Sequence, residues 1–394
     1  MNELIEDFKK YEKRKAKYIT FSLDCNIRSK KTCKQAERTR IQLEIIKKMK
    51  MFQHKTIKSD IVVEIVSYTG DKRSPGIDKW AKNIIDIMHK TEYLSNPSDA
   101  QFLPFVDDKQ IRYLYVSYRY IEEKSETFIK IVPFNSFLKD LDLDNSISNN
   151  NLDNTEELYE SNYSYNSCLS KEANEALRKM YLQNKQEVFG NLISINKDII
   201  RNCFIYSNSK NISVLKNLNN SIKTMMNNIV KSPIKLSIPS LPTNTTNDTS
   251  KITNYKKVIK ESLTEYLNKH TFLKELQCPL IISIIYVPGR NSKVVEKDID
   301  NILLDYIVPV VNQVMHPPVT IGNIQEYEDF DGIKKKPILV NDKSGQIVGY
   351  EILKLKKNFS KTGYLTIGFK QSIITESIIS NCYEKLNDYC KYEL

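Results

Sequence analysis

The sequence predicts an α/β protein (α+β in the broader sense) made of two similar units, each a small mixed sheet flanked by helices. Three observations predict it. Strand-like and helix-like patterns alternate at both ends of the 394-residue chain. The patterns come in the same order at the two ends, as expected of an internal repeat. Residues 61–66 and 280–285 are near-continuous apolar runs, which fit central strands covered on both faces. The length also exceeds what one ordinary core organises.

The first unit, residues 1–140, opens with the strand pattern KYITFSL and a helix through CKQAERTRIQLEIIKKM. The strand SDIVVEIVSY, the basic turn GDKRSPG and the helix IDKWAKNIIDIMHK follow. An acidic turn, VDDKQ, leads into the strands IRYLYVSYRY and TFIKIVPF. The second unit, residues 233–394, repeats this order. It has PIKLSIPSL, a helix through NYKKVIKESLTEYLNK, the strand CPLIISIIYV, the turn PGRNSK and the helix IDNILLDYIVPVV. The turn VNDKSG, then QIVGYEILKLKK and GYLTIGF, complete it. Between them, residues 141–232 begin as a polar linker rich in Asn and Ser and pass into helical periodicity at 171–188, with Ala173, Leu177, Met180 and Tyr181 on one face. A last helical pattern carries Ile374, Ile378, Cys382, Leu386 and Tyr389 and is expected to close the second unit.

Lys and Arg number 59 against 48 Asp and Glu, for a formal charge of +11 and a pI near 9.0. That balance favours a polyanionic partner, either nucleic acid or an anionic membrane surface; a lysine-rich solvated surface is the bland alternative. The seven Cys are odd in number and scattered, with no C-x-x-C pair, so free thiols in a reducing compartment are expected rather than a zinc site or disulfides. Four His leave little material for a histidine-based triad. The N-terminus has no apolar core of signal-peptide length, and no apolar run is long enough to cross a bilayer. A cytoplasmic protein without a membrane partner is the expectation.

The chemistry-bearing pattern is acidic. In the second unit Asp298 and Asp300 stand two apart at the end of a basic turn, so that in extended backbone both project from one side. Asp342 occupies the turn before the next strand. If that strand lies beside residues 281–287, Asp342 approaches the pair. Three converging carboxylates repel unless a divalent cation neutralises them, and oxygen-only ligation suits Mg²⁺ or Mn²⁺. Such an ion activates water and stabilises the charge that grows on a phosphodiester. Taken singly, Asp298 reads more readily as a helix cap and Asp342 as a turn residue; the three together, after a basic turn, reverse that.

The string KDIDN at 297–301, after an apolar strand and a basic turn, resembles the R-D-L-D-N element of the RusA family of Holliday-junction resolvases. The opening IKLSIPSLPTN is similar to that family's first strand and its proline–asparagine loop, and Asn301 matches the Asn after the second Asp. The resemblance implies a Mg²⁺ site at Asp298, Asp300 and Asp342. It departs at Leu304, where the family's assisting Lys stands. It departs also in a long insert with a second acidic cluster (Glu326, Glu328, Asp329, Asp331), an alternative source of the third ligand. The first unit departs in a complementary way. Gly76 replaces the first Asp, while Asp78, Lys82, Asp107 and Asp108 match the second Asp, the Lys and the D-D-x-Q turn. Asp86 matches a further acidic position on the helix.

The resemblance spans about two-thirds of the chain. It implies a Mg²⁺-dependent, structure-directed DNA endonuclease acting as a fused pseudo-dimer, with oligomerisation beyond that left open. Its sites would be Asp298, Asp300 and Asp342 and a second set at Asp78, Asp107 and Asp108, with Lys82 stabilising phosphate charge. Basic residues beside the acidic turns (Lys72, Arg73; Arg290, Lys293, Lys297) and near the start (Arg28, Lys30, Lys31) are expected to hold DNA phosphates. KRKAK at 13–17 is equally a solvated tail. Tyr113, Tyr115, Tyr118 and Tyr120 fit sheet packing better than base stacking. Two rivals stand beside this reading. One is a nucleic-acid-binding protein on the same scaffold that no longer cuts; the other is an interaction or defence-system component whose middle segment docks a partner.

Overall fold

The structure is a computed structural model. It describes residues 2–25, 28–69, 76–120, 125–152, 220–230, 234–239, 249–269, 280–288, 298–299, 320–329, 332–340, 347–356, 364–371 and 377–393. In chain order the elements are α1 (Asn2–Lys15), β1 (Ile19–Leu23), α2 (Gln35–Met51), β2 (Ile61–Thr69), α3 (Ile77–His89), β3 (Ile111–Tyr120), β4 (Ser125–Pro133) and α4 (Phe134–Leu152). There follow α5 (Asn220–Val230), β5 (Ile234–Pro239), α6 (Thr249–Lys269), β6 (Leu280–Val287), β7 (Thr320–Asp329), β8 (Gly332–Val340), β9 (Ile347–Lys354), β10 (Tyr364–Gln371) and α7 (Ile378–Glu393).

The α/β class is as the sequence predicts. Eight strands form one mixed sheet in the order β1-β4-β2-β3-β9-β6-β10-β5, and β7 and β8 form a separate hairpin. The order reads alike from either edge. β2 runs parallel to β3 and antiparallel to β4, which pairs with β1. β6 runs parallel to β9 and antiparallel to β10, which pairs with β5. β3 and β9 meet antiparallel at the centre, Tyr115 opposite Glu351. Parallel pairs buried on both faces explain the unbroken apolar runs: Ile61, Val62, Val63, Ile65, Ile281, Ile282, Ile284 and Ile285 are all buried.

One face of the sheet packs beneath α2, α3 and α6, with Ile45, Trp80, Ile84, Ile259 and Leu263 in one apolar layer. The other packs beneath α1, α4, α5 and α7, with Tyr11, Phe137, Met225 and Leu386 in a second. Tyr113 and Tyr115 belong to this second layer and are buried, so they are core residues.

The polar linker expected from Leu141 onward begins instead as helix. α4 crosses that position without a break, because Phe137, Leu138, Leu141 and Ile147 supply an apolar stripe at helical spacing. α5 packs on α4 and buries Ile222, Met225 and Met226. The periodicity at 171–188 lies outside the described residues. The final helix, expected to close the second unit, packs chiefly on α4 and reaches first-half residues. Tyr383 donates to Asp140 on α4 (2.9 Å), Ser380 to Glu64 on β2 (2.6 Å), and Asn387 accepts from Tyr11 on α1 (3.0 Å).

Candidate metal centre and nucleic-acid interface

Helix α3 carries the first half's chemistry. It starts without a side-chain cap at Gly76 and runs its apolar stripe through Ile77, Trp80, Ala81, Ile84 and Met88 into the first layer. Asp78, Lys82, Asp86 and His89 recur along it every third or fourth residue. Asp78 sits in the first turn and is buried. Burial pushes its pKa up, while Lys79 and the backbone N–H groups of the first turn draw it back. A Cβ at Gly76 would lie 2.7 Å from Asp78 Oδ1. The space that a first Asp would need is therefore filled by the second one's own carboxylate.

The other end of α3 is different. Asp86 is buried, and its two oxygens accept ion pairs from Lys30 (3.0 Å) and Lys90 (2.9 Å). Burial alone would raise this carboxyl; the two ammonium groups outweigh it and hold it below its ordinary value. His89 Nδ1 lies 2.8 Å from the carbonyl of Ile85, and its ring stacks on Phe105 with centroids 5.5 Å apart. The turn after Phe105 is held by a capping box. Asp107 accepts from the N–H of Lys109 (2.9 Å), and Gln110 Oε1 accepts from the N–H of Asp107 (2.9 Å). The Lys109 N–H is the main reason the Asp107 carboxyl lies low. Asp108 thereby comes beside Asp86 and His89, with one ligand atom of each within 4.8 Å of the others.

The structure brings Asp108 to Asp86 and His89 and does not bring Asp78 to them. Asp78 and Asp86 are separated by about 12 Å of helix rise. The reason is topological. β2 and β3 are parallel, with Ile61 beside Ile111, so the turn into β3 lies at the start of β2. Asp78 follows the far end of β2, about 26 Å away along the strand. A strand–helix–parallel-strand unit places its two connecting turns at opposite ends of the sheet. The cluster expected of Asp78, Asp107 and Asp108 is therefore divided.

The same register operates in the second half. β9 begins beside Leu280, the first residue of β6, about 23 Å of strand from Val287. Asp342 precedes β9, whereas Asp298 follows β6. The expected pairing of the two strands is present in the parallel sense, so that β6 ends and β9 begins at opposite ends of the sheet. Asp298 is half-buried beside Ile299, which is fully buried in the same layer as Ile77. Asp300, Leu304 and Asp342 lie outside the described residues, as do Asp331, Lys72, Arg73, Arg290, Lys293 and Lys297. Glu326, Glu328 and Asp329 stand on β7, Glu326 opposite Lys335.

Of the basic residues near the start, Arg28 and Lys31 are exposed. Lys30 is spent on Asp86, and the Arg28 carbonyl accepts from Asn83 (2.7 Å). Lys82 is half-buried. Sequence reasoning missed the parts of His89 and Lys90. The signal was present as the i, i+3 and i+4 spacing from Asp86, which puts all three on one end of α3.

Asp86, His89 and Asp108 do not suit Mg²⁺. That ion prefers oxygen ligands in a near-octahedral shell. Here one of three donors is an imidazole nitrogen, and Asp86 already holds two cations. The group reads as an ion-paired lock that fixes the segment 28–34, the end of α3 and the turn before β3 to one another. No protein-family model and no curated protein matches this chain.

Proposed function

We propose that the chain is a DNA-directed protein on a RusA-like scaffold, a fused pseudo-dimer for branched DNA, with Mg²⁺- or Mn²⁺-dependent phosphodiester cleavage confined to the second half at Asp298 and Asp300. The observation that carries this reading is the eight-strand sheet whose order and strand directions are the same from either edge. It implies a pseudo-two-fold axis between β3 and β9, suited to a substrate with two-fold symmetry. The last residues of β2 and β6, Thr69 and Val287, then lie on opposite ends of the sheet. They are on the order of 30 Å apart, from three strand spacings and one strand length.

The halves differ where chemistry would sit. The second keeps an Asp at both positions flanking Ile299; the first has Gly76 and Asp78 flanking Ile77. A cation held by Asp298 and Asp300 would supply a Lewis acid for the phosphodiester. The first half would hold DNA without cutting it, with Arg28 and Lys31 on its surface. A second reading, binding without cutting by either half, is favoured in the first half by the strand register that carries Asp108 away from Asp78.

Cleavage of labelled four-way and three-way DNA junctions with Mg²⁺ separates these readings. The expected product is a single nick per junction, lost at least 100-fold in Asp300→Asn and unchanged in Asp78→Asn. Junction binding with no nick in any divalent ion selects the second reading. Failure to bind any branched DNA overturns both.

A further inference from the structure

Helix α2 ends in a Schellman turn. The N–H of His54 donates to the carbonyl of Met49 (2.9 Å) and that of Gln53 to Lys50 (3.1 Å). The residue that must adopt the left-handed conformation is Gln53, at φ 55°, where Gly is the ordinary choice. This turn presents two large apolar side chains to solvent: Met51 is 61% and Phe52 51% exposed. The Phe52 and His54 rings lie 5.9 Å apart. Burial lowers the His54 pKa, so its imidazole is neutral at pH 7. Around the turn stand Lys47, Lys55 and Lys58, all exposed and without an ion pair among the described residues. The nearby acids are taken: Asp99 by Lys50 (2.6 Å), Asp60 by Arg112 (3.1 Å) and Lys356 (3.4 Å). More broadly, seventeen of the 59 Lys and Arg lie in residues 1–60, against eight of the 48 Asp and Glu.

We infer that the Met51–Phe52 turn is a stacking anchor for an unpaired nucleobase, with Lys47, Lys55 and Lys58 holding the flanking phosphates. This deepens the nucleic-acid reading and rests on it. An exposed ring amid unpaired cations is complementary to a strand that offers a π-face and phosphates together. A lipid surface fits less well. Membrane-surface helices bury a long apolar stripe, whereas that of α2 is already spent on the core through Ile41, Ile45, Ile46 and Met49. The carbonyl end of the helix repels phosphate, so phosphate contact falls to the lysines. The turn lies at the start of β2, the end of the sheet opposite Asp78. A strand anchored there would run over α2 and α3.

The test is fluorescence anisotropy of the full chain with a 12-nucleotide oligo-dT strand and with a four-way junction of blunt duplex arms. Stacking is worth roughly 1–3 kcal/mol per base, or about 5- to 150-fold in affinity. Phe52→Ala should weaken oligo-dT binding within that range, leave the salt slope unchanged and leave the duplex junction within twofold. Phe52→Trp should restore it. Lys55→Ala should reduce the slope of log K against log salt by roughly 0.7. Unchanged oligo-dT affinity in Phe52→Ala, with junction binding intact, overturns the anchor and spares the reading it rests on. A wild-type chain that binds neither probe overturns both. Loss of binding to phosphatidylserine vesicles in Phe52→Ala, with oligo-dT unaffected, would assign the turn to a membrane instead.

Discussion

The two halves of the sheet are alike strand for strand and unlike where their central strands give way to helix. After β2 the chain reads Gly76–Ile77–Asp78; after β6 it reads Asp298–Ile299–Asp300. The isoleucines do the same work, both buried in the layer beneath α2, α3 and α6. The flanking positions do not. At Gly76 the neighbouring carboxylate has folded into the space that a side chain would use. The two isoleucines anchor the shared scaffold, and the halves diverge in sequence at the positions beside them. The halves also contribute unequally to the second layer. Asp140 on α4, fully buried, accepts from Arg14 Nε (2.7 Å) and Nη2 (2.6 Å), from Tyr383 of the last helix and from Tyr18. One first-half carboxylate thus ties α1, the start of β1 and α7 together.

The largest expected effect breaks that tie. Asp140→Ala strands Arg14 and two tyrosine hydroxyls and should cost about 3–5 kcal/mol. Urea unfolding followed by circular dichroism should show the loss. If the last helix belonged to the second half alone, Asp140→Ala would leave its protection from hydrogen exchange unchanged.

Next in size is the lock at the end of α3. Asp86 has a depressed pKa, so it contributes stability above its unfolded value, and this is lost as pH falls through the lower folded value. Asp86→Asn should cost ~2 kcal/mol at pH 7, the worth of hydrogen bonds to charged groups. The cost should fade as pH falls below the ordinary aspartate value. A constant difference across that window would show that packing, not the two lysines, holds the site.

The smallest effect has the opposite sign. Burial raises the Asp78 pKa, so its contribution is fully present below the unfolded value and is lost as pH rises through the folded one. Asp78→Asn should therefore shift stability at pH 7 towards stabilisation, by less than the Asp86→Asn cost. Marked destabilisation at neutral pH would mean that the carboxylate is needed in its charged form, and that the two halves are more alike than their sequences.

Much of the fold was legible in the chain. The apolar runs at 61–66 and 280–285, the helical stripe of α3 and the repeated order of elements follow from side-chain periodicity, which is local. The site was legible only in its residue types. The sequence singles out Asp107, Asp108 and Asp86 but not their company, because neither Lys30 nor His89 is near Asp108 in sequence. α4 was missed because Asn and Ser at 145–150 mask an apolar stripe that acts only once β2 and β4 lie beneath it.

What the sequence by itself determined is the kind and order of the elements, since hydrophobic periods of two and of three to four residues decide strand and helix before any contact forms. What only the tertiary structure decided is which charges meet. Parallel pairing of β2 with β3 and of β6 with β9 puts the end of the first strand of each pair and the start of the second at opposite ends of the sheet. That direction is set by backbone hydrogen bonds between distant segments, and residue spacing along the chain carries no record of it.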